Sequence, residues 1–262
     1  MTDIEAAGGA LAVARREGHK MAAYPCAKPA TISEALAMQD AMAMAMGAPV
    51  RGWKVGLTSA RAQELCGVDA PLAGPVFEGT IFESGAILPL VEGDLGVIEA
   101  EIGFRMKADL PPRGRAYGRQ EVMAAVGEVL GLFEWVNKRL PGGLREAAEW
   151  LVADGTINRA LICGAAQAFD PEMDLLAERV RVTRDGEVLS EGAGSNAMGD
   201  PVAVLEWLAG DLNARGKGLH AGDVIATGLI CDVVQAVPGA RIEAEFSTLG
   251  RVVLEIEGAG SA

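Results

Sequence analysis

Val97-Ile98-Glu99-Ala100-Glu101-Ile102-Gly103-Phe104 reads as a β-strand. It contains β-branched residues and an aromatic, and no proline. Successive side chains on a strand point to opposite faces. Glu99, Glu101 and Gly103 therefore share one face, and Ile98, Ala100, Ile102 and Phe104 share the other. Two neighbouring carboxylates repel each other and are costly to bury. Two readings follow. The pair is a solvent-facing strip on an edge strand, or a cation offsets its charge. A hard dication such as Mg²⁺ or Mn²⁺ suits this oxygen pair, with water or substrate completing its shell.

A second stretch bears on the choice. Leu130-Gly131-Leu132-Phe133-Glu134-Trp135-Val136 has the pattern of a buried strand with one acid among apolar residues. A lone buried Glu is expensive unless it is paired or metal-bound, which makes Glu134 the natural third carboxylate. Arg51-Gly52-Trp53-Lys54-Val55-Gly56 reads as a short strand with Trp53 and Val55 on one face and Lys54 on the other, between two glycines. Lys54 is either a surface lysine or one that a ligand approaches closely.

The 262 residues suffice for one large domain or two small ones, and half are hydrophobic, so a sizeable core is available. With 36 acidic and 23 basic residues the net charge is −13. That argues against nucleic acid or an anionic membrane as partner, since both reward clustered Lys and Arg. A small anionic substrate stays open, because a bound metal reverses the charge locally. Cys26, Cys66, Cys163 and Cys231 are scattered and suggest neither a zinc site nor a disulfide framework. No signal-like start and no membrane-spanning apolar run is seen, so a cytoplasmic protein with reduced thiols is expected. His19 and His220, the two histidines, lie in a charged helix end and a Gly-rich turn and read as surface residues.

Thr2-Asp3-Ile4-Glu5 has capping-box spacing and opens a helix ended by Gly18; Thr31-Ile32-Ser33-Glu34 opens another ended by Gly47. Leu36, Met38, Met42 and Met46 are packing residues of the second helix or, alternatively, line a groove. A short helix follows Thr58-Ser59, then short strands and turns to residue 89. Residues 110–118 form a Pro/Gly-rich loop and a plausible lid. Helices are expected over 120–129, 144–153 and 201–215, strands over 159–164 and 223–228, and hairpins over 180–190 and 241–257. The glycines of 192–199 do not fit a dinucleotide fingerprint. The sum is an α+β protein with a mostly antiparallel sheet or rolled barrel.

Taken in order, Gly52-Trp53-Lys54-Val55-Gly56-Leu57-Thr58, Ile98-Glu99-Ala100-Glu101-Ile102, Glu134, Ala153-Asp154 and Gly222-Asp223-Val224-Ile225-Ala226-Thr227-Gly228 resemble the 2-keto-4-pentenoate hydratase and 4-oxalocrotonate decarboxylase group of the fumarylacetoacetate hydrolase superfamily. The resemblance runs from about residue 50 to the end. It implies N-terminal helices (1–68) followed by a rolled, mixed β-barrel catalytic domain (69–262), and a homo-oligomer. It also implies Mg²⁺ or Mn²⁺ held by Glu99, Glu101 and Glu134, with Lys54 in the active site.

The implied activity is hydration of a 2-hydroxy-2,4-dienoate to a 4-hydroxy-2-oxo acid, as in meta-cleavage catabolism of aromatic compounds. Lys54 is then expected to orient the substrate carboxylate and share in proton transfer, with a pKa lowered by the nearby dication. Glu78 and Asp154 are further proton-transfer candidates, although Asp154 equally suits a helix end. The group's pattern carries an aspartate at the place of Gly79; here the acid is Glu78, one residue earlier, and such a shift on a strand reverses the face. Ser195 and Thr227 are candidates for hydrogen bonds to substrate, or ordinary turn residues. Arg51, Arg61 and Arg159 are available for a second substrate carboxylate, as 4-oxalocrotonate-type decarboxylation requires. Two more alternatives are acylpyruvate-type C–C hydrolysis and a catalytically silent metal-binding partner subunit.

Overall fold

The computed structural model describes residues 2–142 and 146–258. Helices α1 (Asp3–Glu17) and α2 (Ile32–Met46) begin at side-chain caps from Thr2 and Thr31, and each is followed by a left-handed glycine, Gly18 and Gly47. They pack so closely that a Cβ on Gly8 would lie 2.7 Å from Ala41 Cβ. Of the packing residues expected on α2, Met38 and Met42 are fully buried, and Leu36 and Met46 are partly so.

The strands follow as β1 (Val50–Gly56), β2 (Leu72–Phe77), β3 (Ile81–Glu83), β4 (Ala86–Leu88), β5 (Val97–Met106), β6 (Val126–Val136), β7 (Asn158–Cys163) and β8 (Gln167–Ala168). Then come β9 (Arg179–Arg184), β10 (Glu187–Ala193), β11 (Val224–Leu229), β12 (Val234–Gln235), β13 (Arg241–Phe246) and β14 (Gly250–Ile256). Helix α3 (Ala60–Cys66) follows β1, α4 (Arg119–Ala125) precedes β6, α5 (Ala148–Ala153) precedes β7 and α6 (Pro201–Ala214) precedes β11. The helix expected over 120–129 stops at Ala125, because Val126 already belongs to the buried strand β6. Leu144, the expected start of the next helix, lies outside the described residues.

One sheet runs β2-β1-β11-β5-β6-β7-β3, with β12 also on β5 and β8 on β6; a second runs β10-β9-β13-β14-β4. The pairings are mixed and mostly antiparallel, with β1–β11, β3–β7 and β4–β14 parallel. Among the described residues the larger sheet ends at β2 and β3 without closing, so the α+β class holds and no closed barrel is present. β1 lies inside this sheet, hydrogen-bonded to β2 and β11, so the boundary between 68 and 69 divides two paired strands.

β5 is a central strand, paired with β11 on one side and β6 on the other, which excludes the edge-strand reading of its acids. Its Ile98, Ala100, Ile102 and Phe104 join the main core, together with Ile242 and Ala244 of β13, Val252 and Leu254 of β14 and the apolar face of α6. On the opposite face the acids sit between two smaller apolar clusters. Leu130 and Leu132 of β6 belong to one; Val97 and Val136, packed with α1, α2 and α5, belong to the other.

Candidate active site

The register of β5 and β6 builds the site. Glu99 lies directly opposite Glu134, and Glu101 opposite Leu132. Alternation then brings Glu99, Glu101 and Glu134 onto one face, with a ligand atom from each within 4.8 Å of the others. Like charges directly across a strand pair destabilise it. Glu134 and the neighbouring Glu101 are also completely inaccessible, and Glu99 is half-buried.

The protein satisfies half of each buried carboxylate. Glu134 Oε1 accepts from Asn158 Nδ2 at 2.9 Å and pairs with Lys54 Nζ at 3.2 Å, while Oε2 has no partner. Glu101 Oε2 accepts from the Gly228 backbone N–H at 2.7 Å, while Oε1 has no partner. Buried polar atoms without partners are rare, and each calls for an explanation. Three clustered acids against one lysine, with two oxygens left without a partner, are a donor set for a hard dication.

Burial pushes the pKa values of Glu99 and Glu101 up, and neighbouring acids push them up further. Glu99 is raised to about 7 by burial and by Glu134, against the pull of Lys54. Glu101 is raised well above the ordinary range by burial, Glu134 and Glu99. For Lys54, burial opposes the charge, but Glu134, Glu99 and Glu101 together outweigh it and raise the pKa. The expected lowering is thus reversed in the protein alone, where three acids face one ammonium.

The cluster opens into a pocket of about 260 Å³ lined by Lys54, Glu99, Thr58, Ser59 and Thr156 among aliphatic residues. Its size falls just below the usual range of ligand sites, roughly 300–1,000 Å³. The glycines around Lys54 have different causes. A Cβ on Gly52 would lie 2.0 Å from the Val224 carbonyl oxygen of β11, so Gly52 answers to strand packing. A Cβ on Gly56 would crowd Lys54 Nζ at 3.2 Å, so Gly56 keeps space at the site. Gly228, at φ +94°, brings its N–H to Glu101 beside Thr58, whose Oγ1 would be 2.5 Å from a Cβ there.

The other expected site residues stand elsewhere. Glu78 follows β2 at the Val50–Phe77 end of the β1–β2 pair, whereas Lys54 and the pocket lie toward the Gly56–Leu72 end. Its carboxylate is exposed and pairs with Arg51 at 3.0 Å. Asp154 is buried behind the site, with Oδ2 accepting from the Arg139 N–H at 2.7 Å and Oδ1 from Arg139 Nε at 2.8 Å. Arg159 lies over the Trp135 ring and pairs with Asp94. Ser195 is exposed in the turn after β10. Thr227 is buried and donates its hydroxyl to the Ile102 carbonyl at 2.7 Å. None of these lines the pocket. Nor does the loop 110–118, which is fastened by Arg113 to Glu121, by the Arg113 N–H to Asn213 and by a bridge from Leu110 to Leu219.

Asn158 and Thr156 went unseen from sequence. The one signal was local: Gly155-Thr156-Ile157 follows Asp154, and all three adopt left-handed backbone, at φ 64°, 53° and 55°. For β-branched residues this is a true outlier costing about 1–3 kcal/mol each. Thr156 Oγ1 is buried without a partner, on the pocket wall.

Residues 83–257 match the family model described as fumarylacetoacetate (FAA) hydrolase C-terminal. The chain belongs to the fumarylacetoacetate hydrolase family. Within this family it is 32% identical over 220 residues to a 2-keto-4-pentenoate hydratase of Paraburkholderia xenovorans (strain LB400), covering 82% of this chain and 78% of the relative. It is 31% identical over 205 residues to a 4-oxalocrotonate decarboxylase of Pseudomonas sp. (strain CF600), covering 78% and 76%. A solved 4-oxalocrotonate decarboxylase from Pseudomonas putida G7, complexed with magnesium and adipate, superposes with a TM-score of 0.85 at 27% identity over 97% of both chains. A second structure of that enzyme is complexed with calcium and acetate. The family membership, these complexes and the three-carboxylate cluster together support a divalent metal. No helix among the described residues is long and apolar enough to cross a membrane.

Proposed function

We propose that this protein is a divalent-metal-dependent hydratase that adds water to a 2-hydroxy-2,4-dienoate of the 2-keto-4-pentenoate type, giving a 4-hydroxy-2-oxo acid. The observation that carries the reading is the set of orphaned oxygens on Glu101 and Glu134, beside Glu99 and Lys54 at the base of a small pocket. Glu99, Glu101 and Glu134 would hold Mg²⁺ or Mn²⁺. When bound, the cation supplies Lewis-acid stabilisation of negative charge on the substrate's C2 oxygen.

The chain's own groups do the rest. Lys54 Nζ orients the substrate carboxylate and moves protons, its ammonium held in place by Glu134. The net change is a proton delivered to C5, restoring the C2 carbonyl, followed by water adding its hydroxyl at C4 and its hydrogen at C3. Thr156, a pocket-lining residue whose hydroxyl has no partner in the protein, would hydrogen-bond the head of the substrate. Asn158 and the Gly228 N–H keep the glutamates aimed inward. The family resemblance further implies a homo-oligomer, which sedimentation of the purified chain checks.

Decarboxylation of a 4-oxalocrotonate-type diacid is the second reading, favoured by the likeness to the solved decarboxylase. Histidine-assisted C–C hydrolysis is disfavoured because neither His19 nor His220 lines the pocket. The deciding experiment mixes metal-stripped protein with 2-hydroxypenta-2,4-dienoate or 4-oxalocrotonate, with and without Mg²⁺ or Mn²⁺, and identifies products by mass. Metal-dependent gain of one water is expected. Loss of carbon dioxide alone establishes the second reading, and absence of all turnover with metal bound leaves the silent-partner reading.

A further inference from the structure

We propose that the pocket selects a substrate with a single carboxylate and an uncharged aliphatic tail of several carbons, and rejects a diacid. The proposal rests on the reading above for the head of the substrate. The tail is a separate matter, decided by the pocket wall.

The same strand alternation that gathers the acids continues past them. Val97 lies two residues before Glu99 on the same face of β5, and Val136 two residues after Glu134 on the same face of β6; the two valines are directly opposite each other. Two residues along a strand advance about 7 Å. The site is therefore polarised along its strands, with carboxylates and Lys54 at one end and a pair of valines about 7 Å further on. Leu57, Leu72, Leu151 and Leu229 extend this aliphatic wall, with Ile157 and Val233 beside them. An extended acid whose head sits at Lys54 would lay its distal carbons against these side chains.

No charge waits there. Among the described residues the pocket is lined by one cation, Lys54, and one acid, Glu99, both at the head. None of the three arginines the sequence offered for a second carboxylate lines the pocket. Arg51 pairs with Glu78 at the far end of the β1–β2 pair, and Arg159 is occupied by Asp94 and the Pro89 carbonyl. Arg61 is exposed on α3 and does not line the pocket. A second carboxylate would be desolvated against leucine and valine with nothing to pair it, which binding sites penalise heavily. A methylene in the same place gains from leaving water.

The test is titration calorimetry of Mg²⁺-loaded protein with unreactive 2-oxo acids. The series is 2-oxobutanoate, 2-oxopentanoate, 2-oxohexanoate and the diacid 2-oxohexanedioate. Affinity should rise about fourfold per added methylene, and the diacid should bind at least roughly 30-fold more weakly than 2-oxohexanoate. Val233 is 48% exposed at the pocket, so a substitution there spares the core. Val233→Arg should bring the diacid to within a few-fold of the monoacid.

A diacid that binds wild type as tightly as 2-oxohexanoate, or affinity that does not depend on chain length, overturns the proposal and leaves the hydratase reading intact. The expected affinity order without any gain of water by the matching dienoates does the reverse. If no 2-oxo acid binds, both fall.

Discussion

Two clusters of buried charge stand within a few residues of each other and are built in opposite ways. In one, Arg139 saturates Asp154: both carboxylate oxygens accept from Arg139, and the Asp154 carbonyl accepts from Arg139 Nη2 at 3.0 Å and Arg15 Nη2 at 3.2 Å. In the other, Glu99, Glu101 and Glu134 share one lysine, and two oxygens are left without a partner. The first cluster spends its charge on holding chain. It pins the residue just before the strained left-handed turn at 155–157, and so holds Thr156 at the pocket wall. The second keeps its lone pairs open, which is wasteful for stability and useful for binding. A buried carboxylate in this protein is thus read by what remains unsatisfied, since burial alone does not separate Asp154 from Glu101.

The contrast can be broken most severely at Glu101. Glu101→Gln should remove metal affinity and lower kcat/KM by more than the ~10–100-fold typical of a change outside the ligand set. The metal-free variant should nonetheless melt no lower than wild type, because a poorly compensated buried charge is gone. Metal titration and a thermal scan of the same sample check both parts. Asp154→Ala should do the opposite. Leaving Arg139 buried without its partner should cost about 3–5 kcal/mol in urea unfolding, with activity falling through displacement of the turn.

A pH series sharpens the comparison at intermediate size. Glu99 has its folded-state pKa raised to about 7. A carboxyl raised above its unfolded value lends stability that is fully present below that value and lost as pH rises through the folded one. Metal-free protein should therefore lose stability between about pH 4.5 and 7. Added Mg²⁺ should restore it most at the upper end, where no proton has to be displaced. Thermal scans across pH, with and without metal, read this directly; a flat metal-free profile would contradict the open-cluster account. The smallest effect is expected at Thr156. Thr156→Val keeps the side chain's shape and removes only the orphaned hydroxyl. Stability should change little, while affinity for the substrate should drop about tenfold, the worth of one hydrogen bond; thermal scans and KM measurements separate the two.

Much of the fold was readable in the chain because its signals are local. The capped helices, the Asp185-Gly186 hairpin turn, with φ 52° and 86°, and the alternating pattern of β5 depend on neighbours in sequence. So does the pairing of Glu99 with Glu101 on one face. Glu134 was found by a different local argument, that one acid in an apolar strand needs compensation. The five candidates that do not line the pocket share a cause as well. Glu78, Asp154, Ser195, Thr227 and Arg159 were chosen by residue type near suggestive motifs. Their places depend on which end of a strand pair holds the pocket and on which long-range partner reaches them first. Asp154 met Arg139, Arg159 met Asp94, and Glu78 met Arg51.

The period of two along a strand determined by sequence alone that this protein carries paired carboxylates on one face, because that spacing belongs to the backbone itself. Only the tertiary structure decided that Glu99 stands opposite Glu134 and that Lys54 reaches them from β1. Register between strands is set by contacts across the sheet, and no stretch of chain contains its partner's position.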